Sequence, residues 1–307
     1  MSFFKKSKHQ NYDVFSGYAW HVPGVAGMFA LLGWLLVGAL LGNVISGVFL
    51  LGMGPGSTEY ATLIAYPVMF IPAMIASRHI SNKNMLFENG YAIDSAHFGS
   101  RGGWLLGLLC MVATLGAAFC MDFFNSLLPD MPARLEEMLS RMTEGTFWVN
   151  FLCVSIFAPI FEEWLCRGMI LRGLLNCKRP DGSRGLRPVW AIVISAAFFA
   201  GIHFNPWQAV PAFALGLLFG YVYYRTGSLR LTMLMHFTNN TAALLMSQFS
   251  GLEATDNLMD VMPAGAYIAV FAVFAAYLCG FVKDLGRIVP ARDQGNCDEL
   301  FPDELGQ

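Results

Sequence analysis

The run FEEWLCRG at 161–168 sets two carboxylates and a guanidinium, Glu162, Glu163 and Arg167, in an otherwise apolar stretch. At the centre of a bilayer each unpaired charge would cost about 2.5–3.5 kcal/mol on insertion scales, and an ionisable group held there is by default a functional one. Glu163 and Arg167 are four residues apart, so on a helix they share a face with the acid N-terminal to the base, the favourable order for an ion pair. Glu162 points about 100° away and shares its own face with Cys166, which cannot neutralise it. It is left to find water, a proton or histidines from other helices. A carboxylate so placed suits general acid–base chemistry. The plainer reading of Glu163 and Arg167 is a structural ion pair that locks helices together.

Two further polar groups interrupt later apolar stretches. Phe199 and His203 are four apart in FFAGIH, and His236 and Asn240 are four apart in MHFTNNT, with Asn239 three from His236. Taken singly, His203 reads as an interfacial histidine, and His236 with its asparagines as hydrogen-bonding glue between helices. Together, one carboxylate, two imidazoles and an amide on three helices are the parts needed to activate water and to stabilise an oxyanion.

These groups need a scaffold, and composition says which. Of 307 residues, 56% are hydrophobic and only 13% are charged, about half the usual charged share. The apolar residues come in long blocks rather than at amphipathic spacing, the pattern of transmembrane helices. The expected fold is an all-α, polytopic membrane bundle with about eight spans, at 24–52, 60–77, 102–126, 147–175, 188–204, 207–225, 229–249 and 263–286. The spans at 60–77 and 188–204 are short for a bilayer crossing. At 1.5 Å per residue, His236 lies about 10 Å from the inner end of its span, Glu162 about 15–20 Å and His203 about 22 Å, depths that permit convergence if the helices tilt.

The basic residues test this scheme, because cytoplasmic loops carry the Lys and Arg excess. With the N-terminus inside, fifteen of the 19 fall in inner segments, only Arg134 and Arg141 fall outside, and Arg167 and Arg172 lie within the fourth span. Both termini are therefore expected in the cytoplasm. No cleavable signal peptide is expected, the first apolar block being too long for one. Residues 133–142 alternate apolar and charged positions at helical spacing, as a short amphipathic helix on the outer interface or an ordinary loop helix would. Ala212, Gly216 and Gly220 line one helix face and suit close packing. The seven cysteines form no Cys-x-x-Cys pair, so neither a zinc ribbon nor a disulfide framework is indicated. The net charge of −2 implies no nucleic-acid partner. The chain divides into a cytoplasmic segment 1–23, N-terminal helices 24–146, a polar-residue core 147–249, a last loop and helix 250–287, and a polar tail 288–307 expected to be disordered.

The ordered set E-E-x-x-x-R (Glu162, Glu163, Arg167), F-x-x-x-H (Phe199, His203) and H-x-x-x-N (His236, Asn240) resembles the CPBP family of intramembrane proteases, which includes the type II CAAX prenyl endopeptidases and bacteriocin-processing relatives. The resemblance covers about residues 147–249. It implies an eight-helix bundle, a site inside the membrane reached from the cytoplasmic side, and hydrolysis of peptide bonds in membrane-associated or lipidated substrates. It implies that Glu162 activates the attacking water, His203 orients it, and His236 and Asn240 stabilise the oxyanion. Glu163 and Arg167 would support the site, and Phe199 would pack against substrate or the His203 ring. A glutamate-activated water needs no metal, which is the favoured reading. Zinc held by Glu162, His203 and His236 is the alternative. The expected partners are the bilayer and a peptide or protein substrate, and the expected location is a bacterial inner or plasma membrane. The competing classes are a non-catalytic immunity or scaffold protein and a proton-coupled transporter using the same polar cluster. Against a transporter, the sequence shows no duplicated halves. No H-E-x-x-H or G-x-S-x-G motif offers another protease chemistry.

Overall fold

The computed structural model describes residues 21–84, 92–95, 97–137, 145–177, 185–249 and 257–290. Eight long helices run through these residues: α1 Val25–Met53, α2 Thr58–Asn84, α3 Gly102–Asn125, α4 Phe147–Asn176, α5 Pro188–Gly201, α6 Pro206–Thr226, α7 Leu229–Phe249 and α8 Ala264–Leu285. Among the described residues there is no strand, as the apolar blocks predict. Five helices, α1 to α4 and α8, are long and apolar enough to cross a membrane by length and composition. α5 is apolar but only 14 residues long, and α6 and α7 have 21 residues each.

Two helices differ from their expected bounds. α2 has 27 residues rather than the 18 of 60–77, because it continues through the polar end Ser77–Asn84. α5 stops at Gly201 rather than 204. The next helix claims Asn205 as its N-cap, with the Asn205 side chain accepting from Gln208 N at 2.8 Å and Pro206 opening the first turn. His203 therefore sits in the tight turn between α5 and α6. The amphipathic segment 133–142 is helical over 133–137 and otherwise lies outside the described residues, as do the N-terminal 20 residues and the tail beyond 290.

α4 occupies the centre. Every residue from Glu163 to Asn176 on it is buried, as expected of a helix that neighbours surround on all sides. It is not a regular α-helix. Wide π-helical turns span Phe151–Phe157 and Trp164–Leu171 and flank the Glu162–Glu163 pair. The first accommodates Pro159, which has no N–H and whose ring would clash with the carbonyl four residues back in a regular helix. The close packing expected of Gly216 and Gly220 is present. A Cβ at Gly216 would lie 3.1 Å from Ala196 Cα, and one at Gly220 would lie 3.1 Å from Ile192 Cγ2, so α5 and α6 meet with little between their backbones.

α1 and α2 form a hairpin against one side of this core. At Gly38 an added Cβ would come within 1.9 Å of Met69 O, and at Gly42 within 2.9 Å of Ala65 O. Only glycine allows that approach. A loop then pins the α6–α7 corner from below. Ser95 N donates to Gly227 O at 2.9 Å, Tyr223 Oη to Ile93 O at 2.8 Å, and Asp94 accepts from Arg230 N at 3.1 Å while pairing with its guanidinium at 2.7 Å. Gly227 turns that corner at φ +64°, in the left-handed region. Burial pushes the Asp94 carboxyl above its usual range, opposed by the Arg230 charge and by the N–H and hydroxyl groups it accepts from.

Candidate active site

The expected ion pair is present and fully buried: Arg167 Nη1 donates to Glu163 Oε1 at 2.8 Å, and both side chains are 0% exposed. The guanidinium is further held by Gly216 O on α6 at 3.1 Å. It stacks against two rings, with its central carbon 4.6 Å from the Phe199 centroid and 5.4 Å from that of Phe219. α4, α5 and α6 thus each contribute a group that faces this buried charge.

His236 on α7 joins the same carboxylate, with its Nδ1 3.0 Å from Glu163 Oε1. Facing an acceptor, Nδ1 carries the proton. A neutral His236 thus presents Nε2 as an acceptor, and only the imidazolium offers a second N–H. The His236 ring stands edge-on to Phe199 at 5.4 Å and tilted to Phe219 at 6.0 Å. His203 stands edge-on to Phe199 at 5.2 Å. Its Nδ1 donates to Phe199 O at 2.8 Å, which again fixes the tautomer and leaves Nε2 of the neutral ring as acceptor. Phe199, itself buried, is the common neighbour of His203, His236 and Arg167.

Asn240 fills a gap that Pro159 opens. Ala158 N donates five residues back, to Cys153 O, and Pro159 has no N–H, so Val154 O receives neither donor that a helix would offer it. Asn240 Nδ2 supplies the missing one from α7 at 2.8 Å. Asn239 Nδ2 in turn donates to Asn240 Oδ1 at 3.1 Å. Asn240 is thus tied to the helix turn that presents Glu162 and Glu163.

Glu162 departs from the expectation of water, a proton or a histidine as its partner. Its Oε1 accepts from Tyr66 Oη on α2 at 2.5 Å, while its Oε2 is buried with no hydrogen-bond partner among the described residues. No hydrogen bond among those residues joins Glu162 to either histidine. Tyr66 escaped the sequence reading. The signal that could have found it is a phenol in the middle of an apolar span, whose hydroxyl must be satisfied there. The Phe70 ring, one turn on, stacks on Phe161 at 5.1 Å and 14° and seats α2 against α4 beside the glutamates.

The structure thus brings Glu163, Arg167, Phe199, His203 and His236 into one contact network. Asn240 is tied to that network through α4, and Glu162 stands beside it on the α2 side. Zinc chemistry would require Glu162, His203 and His236 to converge. Among the described residues no three His, Cys, Asp or Glu side chains are placed to hold a metal ion.

The comparisons add a resemblance to one family. No curated protein and no solved structure matches the chain. The family model described as type II CAAX prenyl endopeptidase Rce1-like matches residues 144–242. That stretch holds the charged run of α4, both histidines and Asn240, and excludes the α1–α2 hairpin with Tyr66. The chain's resemblance to the CPBP and CAAX protease family, first carried by its three spaced motifs, is thereby shown over residues 144–242.

Proposed function

We propose that the protein is an intramembrane endopeptidase that hydrolyses membrane-associated peptides through a water activated by Glu162. One observation carries this reading. Two adjacent carboxylates on one buried helix are given opposite environments. Glu163 is neutralised by Arg167 and bonded to His236, whereas Glu162, among the described residues, forms no ion pair and accepts only from the Tyr66 hydroxyl. Adjacent acids in such different surroundings suit different roles, and the carboxylate without a cation is the one able to take and return a proton.

In this reading Glu162 takes a proton from water as the water oxygen bonds to the peptide carbonyl carbon. His203, with Nδ1–H fixed on Phe199 O, uses Nε2 to orient that water. The oxyanion is met by the second amide hydrogen of Asn240, the first being used on Val154 O, and by Nε2–H of His236 when it is imidazolium, with Glu163 as counter-charge. The carbon–nitrogen bond then breaks and Glu162 returns the proton to the leaving amine. Phe199 holds both histidine rings and packs against the bound substrate.

The test is purified protein and its Glu162→Gln variant in lipid nanodiscs, assayed against membrane-anchored peptides with and without a prenyl group. Gln keeps an oxygen to accept from Tyr66, so the variant should fold with wild-type melting behaviour while cleavage falls by about 10²–10⁴-fold, the usual contribution of a general base. Equal cleavage by both proteins, or none by either, would count against the proposal.

A further inference from the structure

The family match begins well after α2, yet α2 supplies the one hydrogen bond to the Glu162 side chain found among the described residues. We propose that Tyr66 is a positioning residue for Glu162. By holding Oε1, it fixes the carboxylate plane and leaves Oε2 as the atom that takes and returns the proton. This deepens the protease reading and rests on it for the word proton.

Three independent features argue that the contact is built rather than incidental. Among the described residues its donor is the only hydrogen-bond partner of either Glu162 oxygen, and a buried carboxylate oxygen without a partner calls for a proton or a water. The phenol therefore divides two otherwise equivalent oxygens into one occupied and one free. The depth of Tyr66 is set by the closest backbone approach in the hairpin. Gly38 closes on Met69 O and Gly42 on Ala65 O, the α2 residues three after and one before Tyr66, so α2 cannot slide on α1 without collision. Its lateral position is set by the Phe70–Phe161 stack and by the tilted Tyr66–Phe70 pair at 5.7 Å. Phe161 is the residue immediately before Glu162. A shift of α2 would therefore move the phenol and the backbone that carries its acceptor together.

The experiment separates positioning from packing. Tyr66→Phe keeps the ring and removes only the hydroxyl, whereas Phe70→Leu disturbs the stack and leaves the hydroxyl. Both are prepared in nanodiscs with ¹³C-labelled glutamate, and infrared difference spectra are recorded against wild type, with Glu162→Gln identifying the Glu162 carboxyl band. Tyr66→Phe should shift that band, have no such effect in the Glu162→Gln background, and lower kcat by about tenfold or more with KM nearly unchanged. Phe70→Leu should lower the melting temperature and shift the band less than Tyr66→Phe does, because the hydroxyl is still there to hold Oε1. An unshifted band in Tyr66→Phe, or an equal shift in Phe70→Leu, overturns the proposal. The infrared result does not depend on turnover. A shifted band with no cleavage by wild type would retain the Tyr66 assignment and defeat the protease reading, while cleavage with an unshifted band would do the reverse.

Discussion

α1 and α4 are nearly equal in length and opposite in use. α1 is the more apolar, yet only 22% of its most apolar window is buried inside the protein, against 56% for α4. In a soluble protein the more apolar helix would be the inner one. Here Leu36, Leu40, Val44 and Val48 recur every four residues on α1 as an exposed stripe, while its glycines Gly38 and Gly42 face α2. Lipid is as apolar as leucine and supplies no drive to bury that stripe. A charge cannot face the hydrocarbon, so the helix that carries Glu162, Glu163, Arg167 and Arg172 takes the centre, where other helices can match them. The polar residues, rather than the apolar ones, decide which helix is inside.

The largest effect that would break this contrast is the loss of a matched charge. Arg167→Leu leaves Glu163 in a fully buried site with His236 as its remaining charge-capable partner, and strips Phe199 and Phe219 of the cation between them. Breaking a buried pair by removing one partner costs about 3–5 kcal/mol. The expected outcome is a sharp fall in membrane-inserted, folded protein, read by expression and by size-exclusion profile in detergent. Arg167→Lys should fall between, because an ammonium cannot serve Glu163 and Gly216 O with the same rigid fork. Wild-type yield and melting for Arg167→Leu would mean that α4 is central for some reason other than its charges.

The sequence made some of this plain and hid the rest for physical reasons. The Glu163–Arg167 pair was legible because both ends lie on one helix, where a spacing of four fixes proximity, and it closes even across the π-helical turn. The Phe199–His203 contact was legible on the same grounds. Contacts between helices follow no such rule. Nothing in the spacing of His236 tells it to meet Glu163 rather than Glu162, and nothing ties Tyr66 to a residue 96 positions away. Pro159 announces a disturbed helix, but not that Asn240 repairs it. The ends of α2 and α5 were misplaced because hydropathy stops at polar residues, whereas helices stop where a cap such as Asn205 competes for the backbone.

A smaller effect should come from that repair. α1 contains no proline and needs no outside donor, whereas α4 borrows one from Asn240. Asn240→Ala leaves Val154 O without a partner. The penalty should be about 1 kcal/mol, given that interhelical hydrogen bonds inside membranes average near that scale or below it. Asn240→Asp should be worse, since a carboxylate cannot donate to a carbonyl. Asn239→Ala, which removes only a donor to Asn240 Oδ1, should cost less than either. Thermal unfolding in detergent, measured in the Glu162→Gln background so that turnover plays no part, ranks the three. If Asn240→Ala melted with its parent, the Val154 contact would be dispensable.

The smallest effect belongs to the lipid stripe of α1. Leu40 is 68% exposed, so Leu40→Ala opens no cavity and strands no polar group. Its expected effect on the stability of the inserted protein is within about 0.5 kcal/mol, although the same change in a packed core would cost about 2–5 kcal/mol. The substitution does make the segment less apolar, by a few tenths of a kcal/mol on an insertion scale. That difference bears on the step of entering the bilayer and leaves the packed state alone. A melting temperature unchanged in nanodiscs, with at most a slight fall in yield, is the result that fits a lipid-facing leucine. A core-sized drop in melting temperature would mean that this face of α1 packs against protein, as a second copy of the chain would provide. The contrast between α1 and α4 would then be one of partners rather than of solvent.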